Sequence, residues 1–218
     1  MRISLVQPQI VRGDIEHNLQ VIQRLITLSR GELLVFPEYT LTGSLVLDKG
    51  ADVHSWAIQC AQAKTRIMLP TGKQLLFNTL VEQDGGLYNC CELLPGEERY
   101  YKLYPDETEL SAGIQPGIEH KVFEIPGKRF KVLICYDLPH SKSISTDNLD
   151  FLLFIYHFTK ENLARVMGEI KTLSRERSLA ILASSLVSYQ NNGFSSYIFR
   201  DTVVSLGNQE GILEIDME

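Results

Sequence analysis

Apolar and polar positions alternate along Arg2–Gln7, a stretch rich in β-formers, and predict a strand. After Gly13-Asp14 the spacing becomes helical. Ile15, Leu19, Val21, Ile22, Leu25, Ile26 and Leu28 fall on one face, with Asp14 placed as N-cap and Gly31 just beyond the end. Glu32–Phe36 is a short apolar run that Pro37 stops, so it predicts a buried strand whose end projects Glu38. A weaker helix is expected over Ala51–Ala63. Arg66–Leu69, Gln74–Glu82 and Leu87–Leu93 read as strands, with Gly85-Gly86 as a hairpin turn.

The second half also mixes strands and helices. Lys121–Ile125 and Arg129–Cys135 pair around Pro126-Gly127, and Asp150–Tyr156 is a further apolar strand. Lys160–Ser178 is helical and Leu179–Val187 returns to strand. Tyr197–Val204 and Gly211–Asp216 are expected to close the chain as a hairpin. Leu138–Asn148, with Pro139, Ser141, Ser143, Ser145 and Thr146, is the candidate for a long surface loop. The class is α/β with many strands. No linker, low-complexity stretch or internal repeat interrupts the 218 residues, so one domain over 1–218 is expected.

Bulk composition narrows the function. A hydrophobic content of 44% and a charged content of 22% suit an ordinary globular protein. A net charge of −6 argues against a nucleic-acid partner, which needs clustered Lys and Arg. No apolar run approaches the roughly 20 residues of a membrane span. Met1-Arg2-Ile3-Ser4-Leu5 lacks the features of a signal peptide. The four cysteines, Cys60, Cys90, Cys91 and Cys135, match no zinc spacing, so no metal is expected and reduced thiols in a cytoplasm are the natural reading.

Three positions could carry chemistry. Cys135 ends the apolar run Val132-Leu133-Ile134, where a rigid strand holds a side chain that the following turn exposes. The same placement also fits an inert buried cysteine. Glu38, just past Leu33–Pro37, fits a partly buried general base, although a cap or ion-pair residue is the commoner role for such a carboxylate. Lys102, among Tyr100, Tyr101, Leu103 and Tyr104, fits an enclosed ammonium, although lysines more often snorkel at the surface. Glu109 follows in an acidic stretch with Asp106 and Glu107, a pattern that is usually solvated.

Taken in order, these segments resemble the nitrilase superfamily of carbon-nitrogen hydrolases. Phe36-Pro37-Glu38 with Thr42-Gly43 is similar to the family's glutamate motif, Tyr100-Tyr101-Lys102 to its lysine motif, and Ile134-Cys135-Tyr136-Asp137 to its cysteine motif. Gly13-Asp14, Asn18-Leu19, Asn78-Thr79 and Gly211–Asp216 extend the likeness over essentially the whole chain. Departures exist. Leu138-Pro139-His140-Ser141 stands where members carry an Arg and then Phe-Pro-Glu, Lys131 replaces a glycine, and the late arginine-rich motif survives loosely as Ser174-Arg175-Glu176-Arg177. The chain is also short for the family and stops near Asp216 without a tail. These differences bear on the substrate pocket and on dimer contacts.

The resemblance implies a four-layer αββα sandwich and a homodimer. It implies a small-molecule amide substrate and no cofactor. Cys135 would be the nucleophile, Glu38 the base, and Lys102 with the Tyr136 backbone N–H the oxyanion donors. Glu109 would orient Lys102 or the substrate, with Glu107 as the other candidate. A nitrile hydrolase with the same triad, or a degenerate member that binds without turnover, are the alternatives.

Overall fold

Side-chain alternation in the strands sorts residues onto two faces, and the sorting builds the molecule in layers. The computed structural model describes residues 1–44, 52–189 and 191–217. Strands β1 (Arg2–Gln7), β2 (Leu33–Val35), β3 (Gln74–Gln83), β4 (Gly86–Leu94), β5 (Glu98–Tyr101) and β12 (Gly211–Asp216) form one sheet in the order β12-β1-β2-β3-β4-β5. Strands β6 (Val122–Ile125), β7 (Lys128–Ile134), β8 (Phe151–Tyr156), β9 (Ala180–Ser185), β10 (Ser196–Phe199) and β11 (Thr202–Ser205) form the other, in the order β11-β10-β9-β8-β7-β6. Both sheets are mixed: β1, β2 and β3 run parallel, as do β7, β8 and β9, and antiparallel strands flank each trio.

Ile3 and Leu5 of β1, Leu33 and Val35 of β2, Val132 and Ile134 of β7, and Leu153 and Ile155 of β8 meet between the sheets. Their odd-even neighbours point the other way. Val6, Leu34 and Phe36 pack under helices α1 (Ile15–Leu28) and α2 (Val53–Lys64). Leu133, Leu152, Phe154 and Tyr156 pack under α4 (Lys160–Arg177) and a 3-10 helix, Cys135–Ser143. Central strands are therefore apolar on both faces, the pattern of sheets covered on both sides. The result is the expected four-layer sandwich of helix, sheet, sheet and helix. Each large side chain buried between the sheets contributes on the order of 1.5–3 kcal/mol.

Several expectations need correction. Arg66–Leu69 forms no strand: Arg66 lies in a turn and Met68 is 70% exposed. The turn between β3 and β4 centres one residue earlier than expected, on Asp84 and Gly85, both at positive φ. A two-residue type I′ turn requires φ > 0 at both central positions, and Asp-Gly suits it. Leu138–Asn148 is a loop only in its second half. Its first half belongs to the 3-10 helix, because Leu138, Ser141 and Ile144 are drawn into the core. Tyr197–Val204 and Gly211–Asp216 do not pair with each other. β10 and β11 make their own hairpin across Arg200 and Asp201, and β12 crosses to the first sheet to pair antiparallel with β1. The second helix is observed from Val53; Ala51, the start expected for it, lies outside the described residues.

Candidate active site

The carboxyl ends of parallel strands from both sheets open on one place, the usual location for ligand sites in α/β folds. Glu38 leaves β2 three residues past its end, after Phe36 and Pro37. A tight turn fixes it: Thr40 Oγ1 donates to the Pro37 carbonyl (2.7 Å), and Gly43 N–H to the Tyr39 carbonyl (2.7 Å). Tyr39 sits at φ +53°, and its N–H is held by Asn78 Oδ1 at 2.9 Å. Lys102 follows β5 directly, with its N–H bonded to the Asn89 carbonyl at 2.9 Å. Cys135 follows β7 at φ +43°, a left-handed conformation that costs an L-residue about 1–2 kcal/mol. It also begins the 3-10 helix, so the N–H of Tyr136 has no carbonyl partner within that helix.

Glu38 and Lys102 are entirely enclosed. Lys102 Nζ lies 3.0 Å from Glu38 Oε1 and 2.7 Å from Glu109 Oε2. Asn89 Nδ2 donates to both carboxylates, at 2.8 Å to Glu38 and 2.9 Å to Glu109. Tyr39 Oη donates to Glu109 Oε1 at 2.6 Å. Glu109 belongs to the one-turn helix α3 (Glu107–Ser111), where its Oε2 accepts from Asp106 N–H while Asp106 caps the helix in return. That capping box turns Glu109 inward and leaves Glu107 exposed. Asp137 anchors the turn behind Cys135, accepting from Tyr100 Oη (2.8 Å), Ile134 N–H (2.9 Å) and Tyr104 N–H (3.0 Å).

Charge states follow from this packing. Burial pushes the Cys135 thiol well above its ordinary value, and the Glu38 charge adds to this, against the pull of Lys102. Burial also raises Glu38, but Lys102 and His157 outweigh it and hold the carboxyl below the usual range. Burial opposes the Lys102 charge, yet Glu38 and Glu109 keep it firmly protonated. The cluster at rest thus holds a thiol, a carboxylate and an ammonium. Beside Cys135 opens a cavity of about 270 Å³, walled by Tyr136, Leu138, His157, Phe158 and Asn162 among others.

Residues 2–177 match the carbon-nitrogen hydrolase family. The chain belongs to this family. No protein with a curated description matches it in sequence. Among solved structures, a cysteine-to-serine mutant of an amidase from Nesterenkonia sp. AN1 superposes with a TM-score of 0.86 at 20% identity, over 100% of this chain and 92% of that one. XC1258 from Xanthomonas campestris, a CN-hydrolase superfamily protein with an arsenic adduct in its active site, gives 0.79 at 18% identity, covering 100% and 90%. Glutamine-dependent NAD+ synthetase from Acinetobacter baumannii gives 0.82 at 20% identity, and there this chain, covered over 99%, spans 45% of the larger protein. At these identities the likeness is one of fold.

In this member of the carbon-nitrogen hydrolase family, the structure brings Glu38, Lys102, Cys135 and Glu109 together, with Tyr136 in the cavity wall. Sequence reasoning missed His157. Its Nδ1 lies 2.7 Å from Glu38 Oε2, and Glu38, Cys135 and His157 each place one donor atom within 4.8 Å of the others. The signal was available: His157 follows the apolar strand β8 as Cys135 follows β7. Carboxylate, thiol and imidazole together suit zinc. The Lys102 ammonium, 3.0 Å from the same carboxylate, would repel a cation, so the donor set fits a proton-handling cluster better than a metal.

Proposed function

We propose that the protein hydrolyses a small amide to a carboxylic acid and ammonia or an amine, through a thioester on Cys135. The observation that supports this is the convergence of Glu38, Lys102 and Cys135, from three separate segments, on one enclosed cluster at the wall of a cavity. A charged lysine buried between two carboxylates has little structural reason to exist in an apolar sandwich, since such clusters rarely improve stability over apolar packing.

Glu38 Oε1 already accepts from Asn89 and Lys102, so Oε2 has room for the thiol proton. As that proton moves, sulfur attacks the amide carbon. The oxyanion forms between Lys102 Nζ and the Tyr136 N–H, each such donor being worth about 3–4 kcal/mol in the barrier. The C–N bond breaks as the nitrogen is protonated. Water activated by Glu38 then releases the acid and restores the thiol. Glu109, fixed by its capping box, holds Lys102 in place from the far side. The modest cavity favours small acyl groups.

The test is ammonia release from a panel of small aliphatic amides, ω-amides and carbamoyl amines with their matched nitriles, together with mass spectrometry after fluoroacetamide treatment. Wild type should release ammonia and gain one acetamide adduct on Cys135. Cys135→Ala should do neither while unfolding at a similar temperature. A wild-type protein that turns over no member and takes up no label at Cys135 would refute the proposal.

A further inference from the structure

We infer that His140 is a positioning residue for the oxyanion site, its ring locking the segment that carries Lys102 onto the turn that carries Cys135; this rests on the amide-hydrolase reading. In that reading the two oxyanion donors come from different parts of the chain. Lys102 follows β5, and the Tyr136 N–H belongs to the 3-10 helix after β7. Such donors must be fixed relative to each other, because a displacement of about 1 Å can cost on the order of a hundredfold in rate. The His140 ring touches both segments. It stacks on Tyr104, two residues past Lys102, with centroids 3.9 Å apart and planes inclined by 14°. It also meets the Tyr136 ring edge-on, at 5.8 Å and 67°.

Tyr104 is the midpoint of a short segment with chemistry at both ends. Lys102 lies two residues before it, and Asp106, which caps the helix carrying Glu109, lies two residues after. Asp137 holds the Tyr104 backbone through its N–H at 3.0 Å. The stack adds a second attachment at the same residue, through the side chain. Its other end is firm. Ser143 Oγ donates to the His140 carbonyl at 2.9 Å, and Arg177 donates to the Lys142 carbonyl at 2.9 Å. Tyr136, Leu138 and Pro139 line the cavity, whereas His140 turns to Tyr104. The contact uses the flat face of the ring, so another aromatic residue can serve in its place.

The test compares two reactions of Cys135. Amide hydrolysis passes through an oxyanion. Methylthiolation by methyl methanethiosulfonate does not: the thiolate attacks sulfur, an S–S bond forms, and methanesulfinate leaves. His140→Ala should lower kcat on the amide about ten- to thirtyfold, with KM within about threefold. Its rate of methylthiolation at Cys135, followed by mass spectrometry, should stay within about threefold of wild type. His140→Phe should restore amide turnover to within about threefold. Tyr104→Leu, which keeps the backbone N–H on Asp137, should match the loss of His140→Ala, and the double variant should be no worse than either. His140 is exposed, so its truncation opens no core, and thermal unfolding checks each variant. Equal losses in both reactions would show that the ring supports the corner as a whole and would overturn the inference. So would near-wild-type turnover in His140→Ala, failure of His140→Phe to rescue, or additive losses in the double variant. If wild type hydrolyses no amide and takes up no label at Cys135, the amide-hydrolase reading fails and takes this inference with it.

Discussion

Lys102 illustrates how one residue can be bound to fold and chemistry at once. Its ammonium is 1% exposed and lies between two buried carboxylates. Removing the charge leaves Glu38 and Glu109, bridged by Asn89, without the ammonium that lies between them. Lys102→Met should therefore lower stability by about 3–5 kcal/mol in urea unfolding, in addition to abolishing turnover. A loss below about 1 kcal/mol would mean that the carboxylates relax or take up protons at no cost. Asp137 offers a second test. Burial lifts its pKa to about 6 from an ordinary 3.8, despite the three donors and the Lys102 charge that pull it down. The native state then binds a proton more readily than the unfolded chain between those values. This group's contribution to stability is full below about pH 3.8 and declines as pH rises to about 6, by on the order of 2–3 kcal/mol. Asp137→Asn should remove that part of the slope. Unfolding free energies of both proteins at pH 4, 5, 6 and 7 provide the check, and parallel curves would contradict it.

At the scale of elements, the strand-to-helix corner at Cys135 stands out. The residue is held at φ +43° where β7 meets the 3-10 helix, and Asp137 clamps both sides of the corner through Ile134 and Tyr104. Glycine adopts this conformation without a Cβ penalty. Cys135→Gly should thus be more stable than Cys135→Ala by roughly 0.5–1 kcal/mol, although it removes more of the side chain. Equal or reversed stabilities in parallel thermal melts would show that the corner is unstrained. Elements also explain what the sequence disclosed. Glu38 and Cys135 were legible because each follows an apolar run that stops abruptly, and a polar residue there needs a reason. His157 carried the same signal after β8 but lay in no familiar motif. Glu109 looked like part of a solvated acidic run because a capping box in a five-residue helix is too short to register as periodicity. Arg66–Leu69 looked like a strand because three apolar residues in a row say nothing about whether a neighbouring edge is available.

For the molecule as a whole, layers were readable and connections were not. Period-two alternation in β1 and continuous apolar runs in β7 and β8 encode which faces are covered. They do not encode partners. Gly211–Asp216 was correctly seen as a strand, but local pattern assigned it to the hairpin before it rather than to β1, more than 200 residues away. Arg2 and Asp216 pair across that junction at 2.8 Å, and Met217 N–H bonds the Met1 carbonyl at 2.8 Å. This closure has a consequence during biosynthesis. β1 leaves the ribosome more than 200 residues ahead of β12, and its outer edge has no neighbour until β12 emerges. At about 5–20 residues per second, that interval is on the order of ten to forty seconds. Throughout it the nascent chain presents the unpaired backbone of Ile3-Ser4-Leu5-Val6 to every other chain nearby, so the first sheet is completed only once β12 has been made.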